Sequence, residues 1–241
     1  MFGNGRPVVF LHGFLESISM WNTLNLKKLN RTCILVDIPG HGKSELTDDG
    51  DPNIKYFSTE ILNLLAELNI TNFDIVGHSM GGYIGLEMMQ CAPKDTQLIL
   101  LNSNFWADSE EKKKDRVLVS ELVWKSKSLF LKTAIPNLFY NADSYKKAIE
   151  ELIEEALVLQ PIGIAYASLA MRNRFDFSEF VTEHSEQIII IQGKNDPIIP
   201  LEKMETTLKF KENYEVINSC GHMAHIEQHF IVDQLLKKYL N

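Results

Sequence analysis

The chain has 241 residues, 45% of them hydrophobic, and a formal net charge of −8. That is enough apolar material for the core of one large domain. The only basic run, Lys112-Lys113-Lys114, is flanked by Glu110, Glu111 and Asp115, so no surface is built for a phosphate backbone and no nucleic acid is expected as a partner. The N-terminus lacks the pattern of a secretory signal, and no stretch approaches the ~18 apolar residues of a membrane span. A cytoplasmic protein with no membrane span is therefore expected, its oligomeric state left open. Three widely separated cysteines, Cys33, Cys91 and Cys220, give neither a disulfide framework nor a zinc knuckle; Cys33 and Cys91 are expected as small buried residues.

In chain order, short apolar runs at 7–11 (PVVFL), 33–36 (CILV), 73–76 (FDIV), 98–101 (LILL), 188–191 (IIII) and 214–217 (YEVI) end at Gly, Asp, Asn or Ser, the pattern of buried parallel strands. Segments 57–68, 80–91, 201–208 and 226–240 have apolar residues three and four apart, as helices covering a sheet do. The predicted fold class is α/β, a doubly wound, mainly parallel sheet of about six strands. From 104 to 180 no run resembles a strand, while Ile149, Leu152, Ile153, Ala156 and Leu157 mark one helix face, and Pro136 and Pro161 divide the stretch. This predicts a core of 1–103 and 181–241 interrupted by a helical cap at 104–180. Either the insertion only adds core, or it is a lid over the carboxyl ends of the strands, with Phe105, Trp106, Trp124, Phe130, Phe139, Tyr140 and Tyr166 available for an apolar underside.

The strand at 73–76 runs into Gly77-His78-Ser79-Met80-Gly81-Gly82, and a helix follows. This is G-x-S-x-G between strand and helix, a turn tight enough to need glycines and strained enough to present the serine hydroxyl above the sheet. The helix aims its N-terminal N–H groups at the reacting oxygen. His78 diverges from the serine and is expected to pack against a neighbouring strand. An oxyanion needs two donors: the backbone N–H of Met80 is one, and the loop His12-Gly13-Phe14 offers the N–H of Phe14 as the other. His12 is read as a hydrogen-bonded shaper of that loop.

Taken together, these residues resemble the α/β-hydrolase superfamily. His12-Gly13-Phe14, Asp37-Ile38-Pro39-Gly40-His41-Gly42-Lys43-Ser44, GHSMGG, Gly193-Lys194-Asn195-Asp196 and Cys220-Gly221-His222 follow the family's landmarks in order across nearly the whole chain. The resemblance implies a cap inserted after the strand at 98–101 and an architectural role for the DIPGHGKS turn, including His41. Family members commonly begin with two further strands, and only six residues precede PVVFL here, so the sheet is expected to be shorter at that edge.

A serine nucleophile needs a base and a carboxylate to orient it, in the chain order Ser, Asp or Glu, His for this fold. Asp196, biased to extended backbone by Pro197, is the candidate acid; the alternative place, after the strand at 98–101, reads Asn102-Ser103-Asn104 and holds no acid. His222, in a glycine loop beyond the last strand, is the candidate base. His225 and His229 are four apart, which on a helix allows a shared metal with Cys220 as a further ligand. H-I-E-Q-H is nonetheless not H-E-x-x-H, and neither a metal nor a cofactor is expected. Glu227 is read as complementing the positive end of the last helix.

The site residues are thus Ser79, Asp196 and His222 with the Phe14 and Met80 N–H groups. The function expected is that of a serine hydrolase, a carboxylesterase for a small or medium ester as its small-molecule partner. A thioesterase, a carbon–carbon bond hydrolase and a cofactor-free lyase are open to the same residues, as is a non-catalytic small-ligand binding protein on the same fold.

Overall fold

Residues 1–47 and 50–241 are described in a computed structural model. The six apolar runs pair as parallel strands β2 (Pro7–Leu11), β3 (Thr32–Val36), β4 (Asp74–His78), β5 (Leu98–Leu101), β6 (Ile188–Gly193) and β7 (Tyr214–Ile217). A seventh strand, β1 (Phe2–Gly3), adds to the expected six. It pairs antiparallel with β3, Phe2 opposite Cys33 and Gly3 opposite Thr32, so the order is β1-β3-β2-β4-β5-β6-β7. A two-residue strand has no periodicity to read, which is why the sequence showed only its neighbours.

Both faces of the sheet are covered, as near-continuous apolar strands require. Successive residues alternate between them. Val9 and Leu11 join one core with Phe57, Ile61 and Ile84 from α1 (Ile54–Glu67) and α2 (Met80–Met89). Val8 and Phe10 join the other with Trp21 and with Val232, Leu236 and Leu240 of α9 (His229–Leu240). Trp21 meets Phe10 edge to face, 5.2 Å between ring centres.

Between β5 and β6 lie α3 (Glu110–Ala134), α4 (Lys146–Val158), α5 (Pro161–Arg172) and α6 (Ser178–Glu183). Helix α6 runs three residues past 180 and leads into β6. Helix α3 breaks at Ser126, whose backbone is non-helical. Just beyond the break, Lys127 donates to the carbonyls of Leu157 and Leu159 at 2.7 and 2.8 Å, capping the end of α4 where cations are favoured. Helix α5 joins the two layers. Its Tyr166 packs on Tyr56 and Phe57 in the sheet-side core, while Ile164 and Ala165 face Val123, Leu131 and Ile149. Gly163 lies against Gly40 so closely that a Cβ on either would meet the other's backbone. The DIPGHGKS turn is thus a docking seat, fixed by Asp37, which accepts from the N–H groups of Ile18 and Lys43 at 2.9 and 3.0 Å.

Several expectations are corrected here. Cys91 is exposed, while Cys33 and Cys220 are buried. Trp124 and Tyr140 face solvent. The last helix is two, α8 (Ala224–Glu227) and α9, separated at Gln228 by backbone at φ −140°, ψ 42°, so His225 and His229 do not share a helix face. Among the described residues no single helix is long and apolar enough to cross a membrane.

Candidate active site

The parallel register brings the carboxyl ends of six strands to one edge, and the loops that leave five of them build the site. Ser79 follows β4 and opens α2 at φ 49°, ψ −114°, a left-handed conformation costly for a residue with a side chain. The turn has no spare room: a Cβ on Gly77 would strike the backbone of Gly81, and one on Gly81 the carbonyls of Leu11 and His12. His222 extends from the loop after β7, and its Nε2 lies 2.9 Å from Ser79 Oγ. Its Nδ1 is 2.8 Å from Asp196 Oδ2. Asp196, in the turn after β6, accepts on its other oxygen from the N–H groups of Ile198 and Ile199 at 2.8 and 3.0 Å. Burial alone would raise the Asp196 pKa, but His222 and the bonds from His222, Asn102 and Ile199 together hold it below the usual carboxylate range.

Three contributors to this arrangement went unread in the sequence. Asn102, noted only for not being an acid, donates from Nδ2 to Asp196 Oδ2 at 2.9 Å and to Gly221 O at 3.0 Å, and so ties the acid to the histidine loop. Glu227 also has a role beyond the final helix. Its carboxylate accepts from the N–H groups of Gly221 at 3.0 Å, Met223 at 3.3 Å and Tyr140 at 3.0 Å, clamping both sides of His222. Burial raises its pKa against those donors.

Glu16 is the third. It is buried, accepts from Gly13 N–H at 2.6 Å and pairs with His78 Nδ1 at 2.7 Å. His78 Nε2 is 3.0 Å from the carbonyl of His222. His78 therefore lies beneath the histidine loop instead of against a strand, and one carboxylate links the His12-Gly13-Phe14 loop to the backbone of His222. Burial opposes both charges, but each partner outweighs it: the Glu16 pKa falls to about 2 and that of His78 rises. The available signal was an acid at the third residue after Gly13 in an otherwise apolar stretch. Replacing Glu16 by alanine strands a buried histidine and frees the Gly13 N–H, and is expected to cost about 3–5 kcal/mol, read by urea unfolding at pH 6.

His12 shapes its loop as expected, with Nδ1 2.8 Å from Gly13 O and Nε2 accepting from Ile38 N–H at 3.0 Å. Phe14 N–H has no hydrogen-bond partner among the described residues, and Met80 opens α2, where a helix has no internal acceptor for its N–H. His229 meets Phe230, while His225 joins Glu16 and His78, their ligand-type atoms within 4.8 Å of one another. Glu16 Oε2 and His78 Nδ1 already engage each other, and His225 Nε2 is 3.6 Å from Glu16 Oε1, so this trio serves as an ion pair with a third ring beside it.

A cavity of about 180 Å³ opens at Ser79 and His222. Phe14, Leu15, Met171 and Met223 form part of its wall, and α3 supplies Val119 and Phe130. Of the seven aromatic residues considered for a lid underside, only Phe130 lines it.

A strained serine between strand and helix, hydrogen-bonded through histidine to a buried carboxylate at the edge of a parallel sheet, is the architecture of a hydrolase. The chain matches the Alpha/beta hydrolase family over residues 8–234, and it belongs to that family. It is 23% identical to "Putative esterase/lipase 2" of Mycoplasma genitalium over 90% of this chain and 82% of that protein. It is 26% identical to the "Dihydrolipoyllysine-residue acetyltransferase component of acetoin cleaving system" of Pseudomonas putida, of whose length it spans 64%. A thermophilic esterase from Thermogutta terrifontis, solved with malate bound, superposes with a TM-score of 0.88 at 26% identity over 99% of this chain and 90% of that one.

Proposed function

We propose that the protein is a serine carboxylesterase acting on a small or medium ester, with Ser79 as nucleophile, His222 as general base and acid, and Asp196 as the acid that orients His222. The observation that carries this reading is the unbroken chain from Ser79 Oγ through His222 to Asp196, open to a mainly apolar cavity. Ser79 Oγ attacks the ester carbonyl while His222 Nε2 takes its proton, and Asp196 stabilises the imidazolium that forms. The N–H groups of Phe14 and Met80 hold the oxyanion. Collapse of the intermediate expels the alcohol, which receives the proton from His222. Water, deprotonated by His222, then releases the acid from Ser79.

In this reading the helical stretch 104–180 is a cap, because α3 and the residues after it wall the cavity above Ser79. The esterase among similar structures and the esterase/lipase among similar sequences support an ester as substrate. A fluorophosphonate is expected to label Ser79 stoichiometrically, and a panel of esters and thioesters of graded acyl length to show turnover lost on labelling. Absence of labelling at Ser79 sinks the reading; turnover of thioesters alone redirects it.

A further inference from the structure

The wall of the Ser79 cavity is not uniformly apolar. Lys112 and Arg116, one turn apart on α3, line it together with the residues around Ser79. They also line a second pocket of about 200 Å³, which shares Tyr83 and Ile198 with the first. The two pockets therefore adjoin along a basic seam. Around the outer one stand four cations, Lys112, Arg116, Arg174 and Lys203, and one acid, Asp108. Four cations against one acid reverse the balance of a chain whose net charge is −8.

The partners of these cations differ. Arg174 is consumed: it pairs with Asp108 Oδ1 at 2.8 Å and donates to the carbonyls of Trp106 and Met171. Arg116 spends only its Nε on Asp108, at 3.1 Å. Lys203 sits over the Trp106 ring, 4.7 Å from its centre. Lys112 is half-buried, and its ammonium meets no acid or carbonyl among the described residues. Asp108, shared by two arginines, cannot also neutralise it. A partly buried lysine without a counterion, on the wall of a cavity that ends at a nucleophile, is a site for an anion supplied from outside.

We propose that the substrate carries an anionic group, a carboxylate or phosphate, at the end remote from the scissile carbonyl, and that Lys112 with the free guanidinium nitrogens of Arg116 binds it. The inference rests on the ester-hydrolase reading of Ser79 and narrows its substrate class. The acyl chain lies along the apolar wall, the carbonyl reaches Ser79, and the charge stops at the seam. Because the anion takes no part in the reacting bond, its contribution falls mainly on KM.

The test uses monomethyl esters of linear dicarboxylic acids from four to ten carbons against the methyl esters of monocarboxylic acids of equal length, followed by proton release. A second arm replaces the terminal carboxylate by a phosphate monoester. At the best length the anionic ester is expected to exceed its neutral counterpart in kcat/KM by about 10- to 100-fold, the range of a charge-assisted bond. Lys112→Met is expected to reduce that ratio at least 10-fold, and Lys112→Glu to invert it. The ratio within each variant is the readout, so a loss of folded protein, which lowers both rates, leaves it unchanged. Neutral esters turned over as well as anionic ones, or a preference that survives both Lys112 variants, overturns the inference while leaving the hydrolase reading intact. Failure of Ser79 labelling together with turnover of no ester overturns both.

Discussion

Replacing Ser79 or His222 by alanine is expected to lower kcat by about 10⁴- to 10⁶-fold, and replacing both to lower it no further than either alone. The reason lies in the geometry. With Nε2 2.9 Å from Ser79 Oγ, the histidine has one function in the first step of the proposed mechanism, to take the proton that makes the oxygen a nucleophile. Without that oxygen the base has nothing to activate. Asp196→Asn is expected to cost about 10⁴-fold, since an amide at 2.8 Å from Nδ1 favours the wrong tautomer. Asn102 sharpens this point, because its Nδ2 already donates to the same Asp196 oxygen and an amide facing an amide leaves one group without a partner. Every variant keeps the N–H groups of Phe14 and Met80, the proposed oxyanion donors, so a residual acceleration over water is expected. Single-turnover kinetics on a purified double variant decides the matter; losses that multiply would mean that the two residues act on separate steps.

The residues proposed for this chemistry were legible because their positions follow from local pattern. Ser79 sits where an apolar strand meets a glycine-flanked turn and a helix, and Asp196 and His222 each follow the end of a strand. The residues that hold them were not legible. Glu16 acts on His78, Asn102 on Asp196 and Glu227 on Tyr140, contacts made only when loops from distant parts of the chain meet at one sheet edge, and spacing along a sequence carries no record of that. The division of the last helix has the same origin. Its apolar period runs on without interruption, but the backbone turns at Gln228, beside Glu227, which reaches inward to the loop amides. Composition likewise told of aromatic residues between 104 and 180 but not which side each would take. Trp124 faces solvent while Phe130, six residues on, lines the cavity, with the break at Ser126 between them.

Buried histidines are expected to make acid the weak flank of this fold. Burial lowers the pKa of both His41 and His225 from 6.5 to about 3, in His41 with a contribution from His12 and in His225 from His78 and His222. A folded pKa depressed in this way gives stability that is present above pH 6.5 and lost as pH falls towards 3, because the unfolded chain takes up protons that the folded one refuses. Two such groups steepen the loss to about 2.7 kcal/mol per pH unit. Burial lowers the His12 pKa as well, which acts in the same direction. Glu16 adds to the loss further down, its contribution being present above 4.5 and disappearing as pH falls to about 2. His78 has the opposite sign: its raised pKa gives stability that is full below 6.5 and lost as pH rises through the folded value. A domain of ordinary stability, about 5–15 kcal/mol, is therefore expected to unfold between roughly pH 5 and pH 3. His41 offers the cleaner probe. Its Nε2 has no hydrogen-bond partner among the described residues, its Nδ1 is 3.5 Å from Pro39 O, and its ring sits against those of His12 and Phe14, so His41→Phe removes a titrating group and one long polar contact and keeps an aromatic ring. The variant is expected to move the acid midpoint downwards and to reduce the slope of unfolding free energy against pH by about 1.4 kcal/mol per unit, measured by urea titration from pH 8 to pH 4. A slope left as steep as in the native protein would mean that His41 takes up its proton inside the fold, and that the acid sensitivity resides in His225 and His12.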